Sequence, residues 1–245
     1  MLKAFRTGLS RLLRAPLQTV RNRYLDGYAI TSYSQEGEDM ILRRLFENQA
    51  SGFYVDVGAH HPFRFSNTCF FYKKGWRGIN LDATPGSMVL FERFRSRDIN
   101  LEIPVSNSNA VLTFHVFNEP ALNGFSKELS QARQANHPGY VILEEPKLQT
   151  RELSDILAVH LPAGAVIDFL TVDVEGHDFE VLKSNDWERF RPHVVLVEIA
   201  GRSLAEIERH DIGRYLQQYG YIVFAKTVHT VIFVQKSVYE EKLTT

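Results

Sequence analysis

From Phe53 onward, short apolar runs alternate with helical stretches, and several of the runs end on an acid or a glycine. This alternation constrains the fold most, because strands that are apolar throughout need helices covering both faces of their sheet. Phe53–Val57 reads as a buried parallel strand closed by Gly58, and a helical stretch from Asn67 to Lys74 stops at Gly75. Gly78–Asp82 follows as a second strand, then a helix around Ser87–Phe94 and a third strand near Leu101–Val105. Ala110–Phe117 alternates and predicts one extra strand with a solvated face. Leu153–Val159 predicts a helix, Val166–Val172 a buried strand, Phe179–Leu182 a helix, His193–Val197 a strand and Leu204–Tyr219 a helix. Tyr221–Ala225 and Val228–Val234 predict a closing hairpin. The pattern is that of a doubly wound α/β fold, with a mostly parallel sheet and an antiparallel C-terminal hairpin. Its ligand belongs beyond the carboxyl ends of the strands.

Residues 118–147 are the least regular part and form an insertion in this pattern. They read either as a lid or as a surface excursion. Asn118, Asn123, Ser126, Lys127, Glu128 and Tyr140 offer the polar and aromatic groups that sugar recognition uses.

Charge divides the chain unevenly. The whole has 28 bases against 29 acids, a net charge of −1, which argues against a nucleic-acid partner. The first 25 residues hold six of the bases and no acid, so the remainder is acidic, with a net charge of −7. Leu2, Phe5, Leu9, Leu12 and Leu13 recur at helical spacing within that basic stretch. Two domains are therefore expected, a basic amphipathic leader over 1–30 and a body over 31–245. The leader would rest on an anionic membrane surface through residues 1–25, occupy an acidic groove, or pack as a leader helix. A cytoplasmic protein, peripheral at the inner face of a membrane, would suit both halves. One cysteine, Cys69, excludes a disulfide framework and a thiolate-rich zinc site. Its aromatic neighbours predict a packed thiol.

The strand ends carry the chemistry. Asp56-Val57-Gly58-Ala59-His60 closes the first strand, Asp82 the second, Asp173-Val174-Glu175-Gly176-His177-Asp178 the strand after Val166, and Glu198 the next. A glycine after the first strand lets backbone pass close to a ligand. An acid at the end of the second can accept hydrogen bonds from a ribose diol. Gly-x-Gly-x-x-Gly is absent, as is the Gly-Lys-Ser/Thr of a P-loop. A nucleoside ligand held without a phosphate cradle fits this pattern, and S-adenosylmethionine is one.

Four segments then occur in order: Ser34-Gln35-Glu36-Gly37-Glu38-Asp39, Tyr54-Val55-Asp56-Val57-Gly58-Ala59, Gly75-Trp76-Arg77-Gly78-Ile79-Asn80-Leu81-Asp82 and Asp168-Phe169-Leu170-Thr171-Val172-Asp173-Val174-Glu175-Gly176. Together they resemble the FkbM family of S-adenosylmethionine-dependent methyltransferases over about residues 32 to 200. The resemblance implies a seven-stranded, Rossmann-like class I methyltransferase fold and O-methylation of a sugar or polyketide-type hydroxyl. By motif, Asp56 and Gly58 would line the methionine end of the cofactor. Asp82 would hold the ribose, with Ala83 on the same surface, and Val105 and Ser106 would lie beside the adenine. Gln35 and Glu38 would close over the cofactor, and Asp173 and Glu175 would face the transferred methyl. This chain departs from the family at His60, His61 and Pro62, where many relatives continue with Asn and Gly.

The resulting expectation is a methyltransferase acting on a saccharide or glycan precursor, with His177 as the base and Asp173 orienting it or the acceptor. His177 can also be read as a helix cap, and one of His60 and His61 as a base or substrate contact. Asp173, His177 and Glu198 together would suit a divalent ion such as Mg2+, whereas Glu198 alone would cap a helix. The rivals are a non-catalytic nucleotide- or glycan-binding protein on the same fold, and a methyltransferase for a small secondary metabolite.

Overall fold

The computed structural model describes residues 26–243. The leader predicted over 1–30 therefore lies almost wholly outside the described residues. From Tyr33 onward the described residues form one unit. Its first helix, α1 (Glu38–Leu45), leads into β1 (Phe53–Val57), α2 (Cys69–Lys73), β2 (Arg77–Asp82), α3 (Met88–Phe94) and β3 (Ile99–Glu102). The insertion holds β4 (Val111–Thr113), β5 (Val116–Phe117), a 3-10 turn (Pro120–Leu122), α4 (Lys127–Asn136), β6 (Ile142–Glu144) and β7 (Lys147–Gln149). The chain then runs through α5 (Leu153–His160), β8 (Phe169–Val172), α6 (Asp178–Lys183), β9 (Val194–Glu198), α7 (Leu204–Ile207) and α8 (Asp211–Gln218). It closes with β10 (Tyr221–Lys226), β11 (Thr230–Gln235) and α9 (Lys236–Leu243).

Seven strands make one sheet in the order β10-β11-β9-β8-β1-β2-β3. The inner ladders are parallel, and β11 runs antiparallel to both β9 and β10. This is the doubly wound, mostly parallel seven-stranded sheet with an antiparallel C-terminal hairpin that the sequence predicts. Alternate strand residues feed opposite layers. Val55, Val57, Leu170, Val172, Val195 and Val197 pack with α5, α6 and α8. Tyr54, Phe169, Val194 and Leu196 meet α1, Phe71 and Trp76 on the other face.

Some local expectations are corrected. Ala110–Phe117 is two short strands outside the main sheet, β4 pairing with β7 and β5 with β6. Phe114 and His115 are both buried, so the one-in, one-out alternation fails at their junction. His115 instead forms a bridge with Gly124. The predicted helix over 204–219 is also broken. Ser203 and Glu206 cap its first part reciprocally, and the His210 side chain accepts the Ile212 N–H to start the second. The strand from Val166 begins only at Phe169, and just before it the Asp168 carboxylate accepts the Phe53 N–H at 2.8 Å.

A polar knot ties β1 and β2 to the segments on one face of the sheet. Arg95 is fully buried at the end of α3. Its Nε donates to Asp98 at 3.0 Å, its Nη2 to Tyr54 Oη at 2.7 Å and to Thr68 Oγ1 at 3.0 Å, and its Nη1 to the Pro62 carbonyl. Thr68 donates to Asp56, while Tyr54 and Asn80 donate to Asp98. Removing one partner of such a pair strands the other charge in a dry interior. Arg95→Ala is expected to cost roughly 3–5 kcal/mol of unfolding free energy by urea titration. The exposed Arg97→Ala should stay within about 0.5 kcal/mol.

Candidate active site

The chain runs from β1 outward through β2 to β3, then returns to β8 on the other side of β1. The ends of β1 and β8 are therefore the switch point of the sheet, where doubly wound folds open a crevice. Gly58 turns there with a φ of 85°. A Cβ on it would stand 1.8 Å from the Asp173 carbonyl oxygen, so only glycine lets the two strand ends approach. The Asp173 N–H donates to the Val57 carbonyl at 3.0 Å across the same gap.

A cleft of about 320 Å3 opens over this point. Gln35, Gly58, His60, Asp82, Ala83, Val105, Asp173 and Glu175 all line it. Asp82 organises its rim, accepting the His60 N–H at 2.8 Å and the Thr84 N–H at 2.7 Å on different oxygens. Each oxygen retains a lone pair for a further donor. His60, in a left-handed turn with φ 53°, leaves its buried Nε2 without a hydrogen bond. Of the adjacent histidines it alone lines the cleft; His61 Nδ1 accepts the N–H groups of Phe63 and Arg64.

A second cavity, of about 180 Å3, adjoins the first at Gln35, Phe65, Leu122, Asp173 and Glu175. Glu36, Glu38, Asn67, Arg133, Glu198 and His229 complete its wall. Glu36 pairs with His229 and Glu38 accepts from Thr227, which stitches the 34–39 segment to the turn between β10 and β11. Where the two cavities meet, carboxylate oxygens of Asp173, Glu175 and Glu198 lie within 4.8 Å of one another. Burial, reinforced by Glu198 and Glu175, holds the Asp173 carboxyl well above the usual carboxylate range. Burial also raises Glu175 and Glu198, against the opposing charge of Arg133, which is ion-paired to Glu175. Beneath them Asp178 is pushed up to about 7 by burial and by Glu198, although it accepts the N–H groups of Val174 and Gly176.

Four predicted cofactor or catalytic residues are placed outside the first cleft, and of these Glu38 lines only the second cavity. Asp56 faces the Arg95 knot, not the cleft; burial raises its carboxyl to about 6 despite the Thr68 hydroxyl and the Arg95 charge. Ser106 is buried and hydrogen-bonded to His177 Nε2 at 2.8 Å. His177 stands at the start of α6, beside Phe125, and lines a separate recess with His115 and Lys127. It is thus not brought to Asp173 and Glu198; Glu175 is the third member of that group. The reason is the left-handed backbone at Glu175 and Gly176, with φ 55° and 86°, which aims the two side chains apart. In the insertion, Asn123 and Tyr140 line the cleft, Ser126 caps α4, and Asn118 bonds Gly139 and Val141. Arg133 and Asn67 were not singled out in the sequence, where nothing local marks them.

A glycine-cradled crevice at the switch point of this sheet, flanked by acids on three strand ends, is where a doubly wound fold holds its ligand. The family model described as Methyltransferase FkbM domain matches residues 56–223. The chain belongs to the FkbM methyltransferase family. The match takes in β2, β3, β8 and β9 of its Rossmann-like sheet and nearly all of the first cavity, while β11 and part of the second cavity's wall lie outside it. In this methyltransferase the 34–39 segment is the part of the cleft wall that precedes the match.

The raised carboxyls have a thermodynamic consequence. Between the unfolded values near 4 and the folded values of about 6 to 7, the folded protein binds protons that the unfolded chain releases. Stability therefore falls as pH rises through that window. The thermal midpoint of the ligand-free protein should drop from about pH 5 to about pH 7.5, and Asp178→Asn should flatten the slope.

Proposed function

We propose that this methyltransferase uses S-adenosylmethionine and transfers its methyl group to a saccharide hydroxyl. The observation that carries the reading is the meeting of two cavities at Asp173 and Glu175, one lined by Gly58, Asp82 and Val105, the other almost wholly polar. The cofactor fits the first. Gly58 lets the ends of β1 and β8 close beneath it, Asp82 offers free lone pairs to ribose hydroxyls, and His60 Nε2 lacks a partner. When bound, the cofactor supplies a methyl group on a cationic sulfonium, a charge that suits the acids at the junction.

The chain's own residues supply position and proton transfer. Glu38, Asn67, Glu198 and Arg133 present acceptors and donors to a polyhydroxylated acceptor in the second cavity. Asp173, whose carboxyl is held well above the usual carboxylate range by desolvation and by its acidic neighbours, takes the hydroxyl proton. His177, the base expected from sequence, instead supports the wall through Ser106. Leu122 and Asn123 of the insertion cover the junction and exclude water from it. The predicted divalent cation is a second reading, favoured only by the three close carboxylates, with Glu175 in place of His177. Activity that survives exhaustive EDTA treatment removes it.

Calorimetry with S-adenosylmethionine tests the first step; no binding at millimolar ligand sinks the enzyme reading. Asp82→Ala should weaken cofactor binding about tenfold or more, since a hydrogen bond to a charged group is lost. Asp173→Asn should slow turnover of glycan acceptors by about 100-fold or more with little change in cofactor affinity. Reversed outcomes would overturn these roles.

A further inference from the structure

The outward side of α3 and the turn preceding α2 carry a surface that the catalytic cleft does not use. Phe63 and Phe94 are 36% and 41% exposed and pack ring to ring at 5.1 Å. Leu90, one turn before Phe94, and Val89 are exposed beside them, while Met88 and Phe91 take the buried side of the helix. Cations surround this apolar centre. The Lys73 ammonium stands 5.9 Å from the Phe63 ring, the Arg93 guanidinium 5.1 Å from the Phe94 ring, and Arg97 lies over Tyr72 at 4.1 Å. None of these three cations forms an ion pair with a carboxylate among the described residues. The one acid of α3 is Glu92, which accepts from Asn100. Unpaired cations gathered here contrast with a body whose net charge past residue 25 is −7.

We propose that this face docks on an anionic lipid bilayer surface. Aromatic rings at the centre suit the boundary between headgroups and acyl chains, and the cations on flexible stems suit the lipid phosphates around them. A second copy of the chain is a poor occupant. A two-fold contact through this face would set Lys73, Arg93 and Arg97 against their own counterparts. Phe63 is followed directly by Arg64 and Phe65, which line the cleft. The patch therefore borders the cleft wall along the chain.

The test reads the patch itself, because the basic stretch over residues 1–25 can also bind vesicles. Trp76 and Trp187 are 1% and 2% exposed, so Phe94→Trp adds the one surface-exposed tryptophan among the described residues. In the full-length chain its emission should shift to the blue on vesicles of phosphatidylcholine with phosphatidylglycerol, and return on adding salt. Phosphatidylcholine alone should leave it unchanged. Adding Phe63→Ser and Leu90→Ser should weaken partitioning about tenfold while the thermal midpoint holds. If those changes lower the midpoint, Arg93→Glu with Arg97→Glu must give the same loss. Pelleting without an emission shift would place the contact elsewhere in the chain and overturn the proposal. A shift that depends on protein concentration and not on vesicles would assign the face to self-association, and would overturn it too.

Discussion

The Arg95 guanidinium, dry on all sides, holds together segments that are far apart in the chain. It reaches the turn at Pro62, the start of α2 at Thr68, the β1 side chain Tyr54 and the loop acid Asp98. Asp98 in turn accepts the N–H of Gly78 at the start of β2. The cleft wall at His60 stands on this foundation, because the backbone that carries His60 passes within two residues of the Pro62 carbonyl. An ion held in a low-dielectric interior is tolerable only when its partners are all in place. Closing the knot therefore selects one arrangement of β1, β2 and the turn between them.

On the floor of that frame the chain gathers carboxylates with little opposing charge. Among the described residues Arg133 and His229 are the bases in the wall facing Asp173, Glu175 and Glu198, and Asp178 adds to the crowding from below. Such a cluster is costly in the empty protein, which is why burial and mutual repulsion raise these groups together. The same crowding prepares the site for a cation or for a proton from an acceptor. Backbone in left-handed conformations at His60 and Glu175 accompanies it. Strain of this kind persists where the surrounding packing over-determines the chain, and here it aims side chains into the two cavities.

Much of this was legible in the residues themselves. The buried strands expected at 53–57, 78–82 and 193–197 form to within one residue of those bounds, and the hairpin and the acids at the strand ends also read from the sequence. Where the sequence misled, a long-range contact decided the outcome. The alternation of Ala110–Phe117 looks like one strand, but its two halves find different partners across the insertion. Asp56 pairs in register with Asn80, two residues short of Asp82, and Thr68 and Arg95 draw it away from the cleft. His177 lies two residues past Glu175, and beyond the left-handed backbone at Glu175 and Gly176 it meets Ser106 instead of the acids. Arg133 comes from a polar helix that resembles any solvated surface, and its pairing with Glu175 has no sequence signal.

The sequence by itself determined the class of fold, the family and the set of strand ends that carry chemistry. Strand periodicity, glycine placement and motif order are local properties and can be read one segment at a time. Only the tertiary structure decided which acids share a cavity, which histidine faces it and where unpaired cations meet exposed rings. Those outcomes depend on side-chain direction and on contacts between residues tens of positions apart, and local pattern carries no information about either.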